Sequence, residues 1–135
     1  MSYSNKHFIR HDFPLFDFGA GADEVMSFRV PKDEHGNDQQ ARIVNIGVAV
    51  TEVFATVSGD ATMEVGTSGN TDAFGLLTIP DASADEDVID VSDDTDAILD
   101  ADIPAGTLVE VNFKHGTESG GVTGQGIPLI DMYVW

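Results

Sequence analysis

Hydrophobic and polar residues alternate along most of this chain with the period of a β-strand. In Arg42-Ile-Val-Asn-Ile-Gly-Val-Ala-Val-Thr, the branched residues Val44, Ile46, Val48 and Val50 fall on one face, and Ile43, Asn45, Gly47 and Thr51 fall on the other. A helix would not gather those four residues on one side. Ala61-Thr-Met-Glu-Val repeats the pattern, with Ala61, Met63 and Val65 opposite Thr62 and Glu64. In Thr107-Leu-Val-Glu-Val-Asn-Phe, Thr107, Val109, Val111 and Phe113 oppose Leu108, Glu110 and Asn112. The last run, Ile127 to Trp135, alternates again, and Pro128 belongs near its start or on an edge. Shorter runs, Val25-Met-Ser-Phe-Arg-Val and Leu76-Leu-Thr-Ile, each stop at a proline.

The connectors carry turn chemistry. Lys32 to Gln40 is polar and contains Gly36-Asn37, which predicts a hairpin loop. Val65-Gly-Thr-Ser-Gly-Asn, Pro104-Ala-Gly and the glycine-rich stretch from His115 to Gly126 separate other runs, and the last of these reads as a flexible hairpin loop. Asp93 to Leu99 is the single helical candidate, and it is short and acidic. Short alternating strands between Gly/Ser/Thr turns predict an all-β fold, a β-sandwich or barrel, over residues 25–135.

Residues 1–24 have a different texture. Four of the eight phenylalanines (Phe8, Phe13, Phe16 and Phe18) sit here, interleaved with charges and Pro14, before Gly19 and Gly21 allow a hinge. A disordered tail is normally poor in aromatics, so this extended N-terminal arm is expected to dock. Two destinations stay open: the surface of its own domain, or a neighbouring subunit or other protein.

Composition narrows the chemistry. A chain of 135 residues suits one domain and buries roughly two-thirds of its unfolded surface. With no cysteine, thiol catalysis, Cys-based zinc sites and disulfide scaffolds are excluded. No run approaches the ~20 apolar residues of a membrane helix, and the first residues lack a signal-peptide core, so synthesis as a soluble cytoplasmic product is expected. Twenty-four acidic against six basic residues give a formal charge of −18, which repels phosphate backbones and anionic membranes. Neither nucleic acid nor membrane is an expected partner. Five of the six basic residues fall in the first third, whereas ten acidic residues crowd Asp81 to Asp102.

The usual catalytic constellations are missing from the sequence: there is no G-x-S-x-G, Walker loop, H-E-x-x-H or G-x-G-x-x-G. Gly120 to Gly126 precedes a strand and so lacks the helix N-terminus of a phosphate cradle. His7 and His11 would meet on a helix, but an extended arm holds them about 13 Å apart, too far to share a metal. Asp90, Asp93, Asp94 and Asp96 could offer oxygens to calcium, yet the EF-hand spacing fails, and a solvent-facing acidic surface is expected. A paired-carboxylate glycosidase needs a cleft with stacking aromatics, and those beyond residue 24 are scattered. No catalytic residue, metal or cofactor is assigned, and the chain is read as a structural or binding module.

The segments Ile43-Val-Asn-Ile-Gly-Val-Ala-Val-Thr-Glu-Val-Phe and Ala61-Thr-Met-Glu-Val-Gly-Thr-Ser-Gly-Asn-Thr-Asp-Ala-Phe resemble small structural proteins of tailed bacteriophages. The group most similar is the head decoration, or cement, proteins, with the resemblance running over residues 40–135. It implies a jelly-roll-like β-sandwich that forms a homotrimer on the capsid exterior of the virion and bridges neighbouring major capsid proteins. Arms in such assemblies reach across subunit boundaries, which makes Phe8, Ile9, Arg10, Phe13, Leu15, Phe16 and Phe18 the expected contact residues. The rival readings are a tail or fibre component or carbohydrate-binding sandwich, which would use exposed Trp and Tyr such as Tyr133 and Trp135, and an acidic β-sandwich hydrolase.

Overall fold

A computed structural model describes residues 6–18, 23–57, 61–80, 87–115 and 118–135. The hinge glycines Gly19 and Gly21 and the acidic residues from Asp81 to Glu86 lie outside the described residues, as does the start of the expected arm. The elements are all strands: β1 (His7–Asp12), β2 (Phe16–Asp17), β3 (Glu24–Arg29), β4 (Ala41–Val57), β5 (Ala61–Thr67), β6 (Asn70–Ile79), β7 (Val88–Ile89), β8 (Asp102–Ile103), β9 (Leu108–Lys114) and β10 (Glu118–Val134). The chain is all-β, with no helix among the described residues; Asp93 to Leu99 is a series of turns.

Two antiparallel sheets give it a sandwich-like character. The first runs β1-β10-β4-β7, with β2 also paired to β10 and β8 to β4; the second runs β3-β9-β5-β6. One core fills the space between them, built from Ile46, Val48, Ile130 and Met132 on the first sheet and Met63, Leu77, Val109 and Val111 on the second. The alternation expected at 61–65 and 107–113 holds, with Met63, Val65, Val109, Val111 and Phe113 fully buried.

In β4 the alternation changes phase. Asp131 pairs with Asn45 but Met132 pairs with Ile43, so Val44 is an extra residue in a bulge. Ile43 is therefore buried and Val44 exposed, the reverse of the strict alternation expected there, while Ile46, Val48 and Val50 face the core as expected.

The glycine-rich stretch is also not a loop where it is described. Residues 118–126 form the first half of β10 and pair irregularly with β4. Gly124 has φ +149°, and a Cβ there would lie 2.8 Å from the Phe54 ring. Its glycine serves a close approach of backbone to an aromatic face, not freedom. The 32–40 segment does turn, at Asp33 to Asn37, with Gly36 at φ 78°. It carries the chain from the second sheet to the first, so it joins unpaired strands and is not a hairpin.

Both sides of the sandwich are closed by connections. On one side residues 87–103 form a strap along β4, pairing Ile89 with Val48 and Asp102 with Arg42. The same strap reaches the second sheet, where Leu76 N donates to Ala97 O (2.8 Å) and Leu99 N to Phe74 O (2.9 Å). A Cβ at Gly75 would overlap Ile46 Cδ1 and Ala97 O, so the crossing needs glycine.

On the other side the aromatic N-terminal segment does the closing. β1 pairs along its whole length with β10, from His7 opposite Val134 to Asp12 opposite Leu129. Phe13, Phe16 and Phe18 then turn into the core and pack around Phe113 at ring distances of 5.4, 5.2 and 6.3 Å. Over residues 6–18 the chain is sheet and core, not a separate arm. The physical reason is that three large rings find a ready apolar partner in β9, and each buried ring contributes about 1.5–3 kcal/mol.

Candidate interaction surface

Strand alternation puts Phe8 and Arg10 of β1 on the outward face of the first sheet, opposite Tyr133 and Asp131 of β10, with Lys6 and Trp135 just beyond the ends of the two strands. Phe8 and Tyr133 are direct partners in register, and their rings meet edge to face at 5.5 Å. They remain 55% and 40% exposed, so the pair presents aromatic surface to the outside. Lys6 Nζ lies 4.5 Å from the centre of the Trp135 ring, a cation–π contact that fixes the indole at the sheet's end.

Beneath the aromatics runs a polar chain across three strands and the strap. Arg10 donates from Nε to Asp131 Oδ1 (2.6 Å) and from Nη2 to Asp131 Oδ2 (3.0 Å), a two-pronged charge-assisted pair. Asn45 Nδ2 donates to Asp131 Oδ2 (3.2 Å), and Asn45 Oδ1 accepts from Val91 N (3.4 Å). Asp131 is the one buried charged residue among those described. The Arg10 hydrogen bonds hold its carboxyl below the usual carboxylate range and outweigh the opposing effect of burial. Arg10 is raised in turn by the same hydrogen bonds. A third cation, Arg42, pairs with Asp102 of β8 at 3.2 Å.

The strap carries the opposite charge. Its aspartates cap its own turns: Asp90 Oδ1 accepts from Ser92 N and Oγ, Asp93 Oδ2 from Asp90 N, and Asp94 Oδ1 from Asp96 N. Asp94 Oδ2 also accepts from Thr78 N of β6 (3.1 Å), which pins the strap to the second sheet. These carboxylates do what short polar side chains do in any turn-rich segment. Among the described residues no group of three or more carboxylates and imidazoles converges as a metal site.

The expected contact residues separate into two sets. Phe13, Phe16 and Phe18 are buried and Ile9 is partly buried against the core, whereas Phe8, Arg10 and Leu15 face outward. His7 and His11 lie on one extended strand, about 13 Å apart along it. His11 stacks on Phe28 at 4.4 Å and meets Phe13 edge-on at 4.7 Å, and burial pushes its imidazole below the ordinary value. Sequence reasoning had Tyr133 and Trp135 as scattered aromatics; their grouping with Phe8 depends on β1 pairing with β10, for which the alternation Lys6, Phe8, Arg10 was the available signal. Comparison with protein-family models, curated proteins and solved structures found no match for this chain.

Proposed function

We propose that this chain is a capsid decoration protein of a tailed bacteriophage. In this reading it is a jelly roll that binds the outside of the head as a homotrimer and strengthens contacts between major capsid proteins. The observation that carries the proposal is the strand order. Leaving aside β2 and β8, which pair off the main path of the first sheet, and keeping the equally short β7 that lies on it, the eight remaining strands in chain order lie 1-8-3-6 in one sheet and 2-7-4-5 in the other. That interleaving is how a jelly roll winds, and jelly rolls recur in viral capsid and lectin domains. Fold alone does not name a function. The resemblance of residues 43–54 and 61–74 to phage structural proteins supplies the second support.

The role asks for a rigid core and an adhesive patch, and it needs no reacting group. Staples across capsomer joints add buried area to the assembled shell and stabilise it over separated capsomers by mass action. Phe8, Tyr133, Trp135, Arg10 and Arg42 have the composition of an interface centre, where aromatics and arginine are enriched. The test is quantitative mass spectrometry of purified virions from the producing host. A fixed copy number in proportion to the major capsid protein supports the reading, and particles free of the chain overturn it.

The exposed aromatics favour one second reading, a carbohydrate-binding jelly roll that stacks sugar rings on Phe8 and Tyr133. Saturable binding on a glycan array, lost in Tyr133→Ala, would select it.

A further inference from the structure

The connections of the sandwich treat its sheet edges differently. On the strap side β6 is covered: Leu76 N donates to Ala97 O, Leu99 N to Phe74 O, and Thr78 N to Asp94 Oδ2. On the same side β4 is met by β7 and β8, and Ile43 N and Val50 N donate to Ala101 O and Asp87 O. The other side holds β1 and β3, the outermost strands of their sheets. β1 pairs with β10 alone, and one hydrogen bond fixes the phase of that ladder. Phe13 N donates to Pro128 O (2.8 Å), one step beyond Asp12 opposite Leu129. Residues that face each other across an antiparallel pair alternately exchange both backbone hydrogen bonds and none. His7, Ile9 and His11 therefore bond to β10, and the N–H and C=O groups of Phe8, Arg10 and Asp12 point away from it. None of these six groups has a partner among the described residues.

We infer that this edge receives an extended segment of a different protein, which adds to the first sheet as a strand beside β1. Backbone donors and acceptors that repeat every second residue, about 7 Å apart, are matched by another extended backbone. β1 runs six residues without a bulge or a proline, two of the features with which natural sheets shield an edge. Arg10, the one cation within it, is turned onto Asp131 of β10 and away from the open side. Beside the edge Phe8 is half exposed, and behind it Ile9 is only partly buried against the core. An incoming strand sets alternate side chains beside Phe8 and Arg10 on the outer face and beside Ile9 on the core face. The segment that fits best has an apolar residue opposite Phe8, no basic residue opposite Arg10, and apolar residues toward Ile9. β3 is the other edge on this side, but its outer face offers Val25, Ser27 and Arg29 and no aromatic ring. A second copy of the chain fits poorly. An antiparallel β1–β1 pair that uses all three open residues sets Arg10 opposite Arg10, and like charges directly opposite are destabilising. Strand addition of this kind does not depend on capsid binding.

The probe is a random peptide library displayed on yeast and selected against the full chain, with the tightest binder then synthesised. Nuclear magnetic resonance reads amide exchange residue by residue. In the free chain the amides of Phe8, Arg10 and Asp12 should exchange quickly and those of Ile9 and His11 slowly. Saturating peptide should slow the first three. Asp12→Pro removes one outward N–H without breaking a bond to β10, and Asp12→Ala removes the same charge but keeps the N–H. The proline variant should bind the peptide about tenfold more weakly, because a peptide carbonyl loses its donor, and the alanine variant should bind like wild type. Circular dichroism and melting establish that each variant is folded. If Asp12→Pro does not fold, amide protection in the wild-type chain decides the matter. A selection that yields no binder, a peptide that protects amides elsewhere, or full affinity in folded Asp12→Pro overturns the inference. Protection of the three amides in the free chain that grows with protein concentration assigns the edge to a second copy and overturns it as well. Virions free of the chain would sink the decoration reading and leave strand addition standing. Virions that carry the chain, together with a selection that yields no binder, would do the reverse.

Discussion

Asp131 sits under the sheet's outer surface with its charge held by Arg10 and Asn45, and the pair is not symmetric in what its loss does. The Arg10 side chain is half exposed, so without Asp131 it turns to water, whereas Asp131 has 6% of its side chain exposed and cannot. Leaving a buried charge without its partner costs more than leaving an exposed one. Arg10→Ala should therefore destabilise the fold more than Asp131→Asn, and the double variant should recover part of the loss. Urea unfolding of the three proteins reads the order directly; equal losses in the two single variants would show that Asp131 reaches water. Gly124 makes a second residue-scale case. At φ +149° with Phe54 ring atoms at 2.8 and 2.9 Å, an alanine meets backbone strain and an aromatic face together. Gly124→Ala should lower stability by about 1–3 kcal/mol in the same assay.

Between residue and whole lies the N-terminal segment, where three phenylalanines bind an edge strand to the opposite sheet. Each of Phe13, Phe16 and Phe18 is buried, and together they bring burial of about 1.5–3 kcal/mol apiece against a total stability of about 5–15 kcal/mol. Deleting residues 2–18 also strips β10 of β1 and β2, leaving β4 as its partner, and uncovers Phe113. The truncated chain should lose its cooperative melting transition and bind an apolar dye; a folded, sharply melting truncation would mean that β4–β10 and the second sheet suffice. The same segment shows where sequence reading stops. Its density of aromatics correctly signals docking, but whether the dock is Phe113 or a neighbour depends on a contact about a hundred residues away in the chain. The alternation of β5 and β9 was legible because each has one core face and one outer face. Val44 was not, since a bulge inserts a residue without any turn-forming signature. Glycines at 120–126 read as a loop for the reason glycine usually means one, while here Gly124 and Gly126 make room for Phe54 and Val48 within a strand. The outward patch was half legible: Phe8 and Arg10 stood out as contact residues, but Tyr133 and Trp135 join them only through the β1–β10 register.

For the whole molecule, charge and pH act on stability in opposite ways. At neutral pH a net charge of −18 strains the compact state by self-repulsion, and acidification that protonates surface carboxylates relieves it. Two groups oppose this. His11 is held neutral by burial between Phe13 and Phe28, with Asp12 nearby partly favouring the charged form, so its folded pKa lies below the ordinary 6.5. The unfolded chain then binds the proton more readily, and stability that is complete above pH 6.5 declines as pH falls toward the folded value. Asp131, lowered by Arg10, adds a second decline that begins only below the ordinary carboxylate value of 3.8. The melting temperature should therefore begin to fall as pH drops below 6.5. In His11→Phe, where an aromatic ring keeps the stack on Phe28 and Phe13 without a titrating nitrogen, that first decline should vanish while the one below pH 3.8 persists. Thermal melts of both proteins from pH 8 to pH 3 test this, and an unchanged slope below pH 6.5 in the variant would place the acid sensitivity elsewhere.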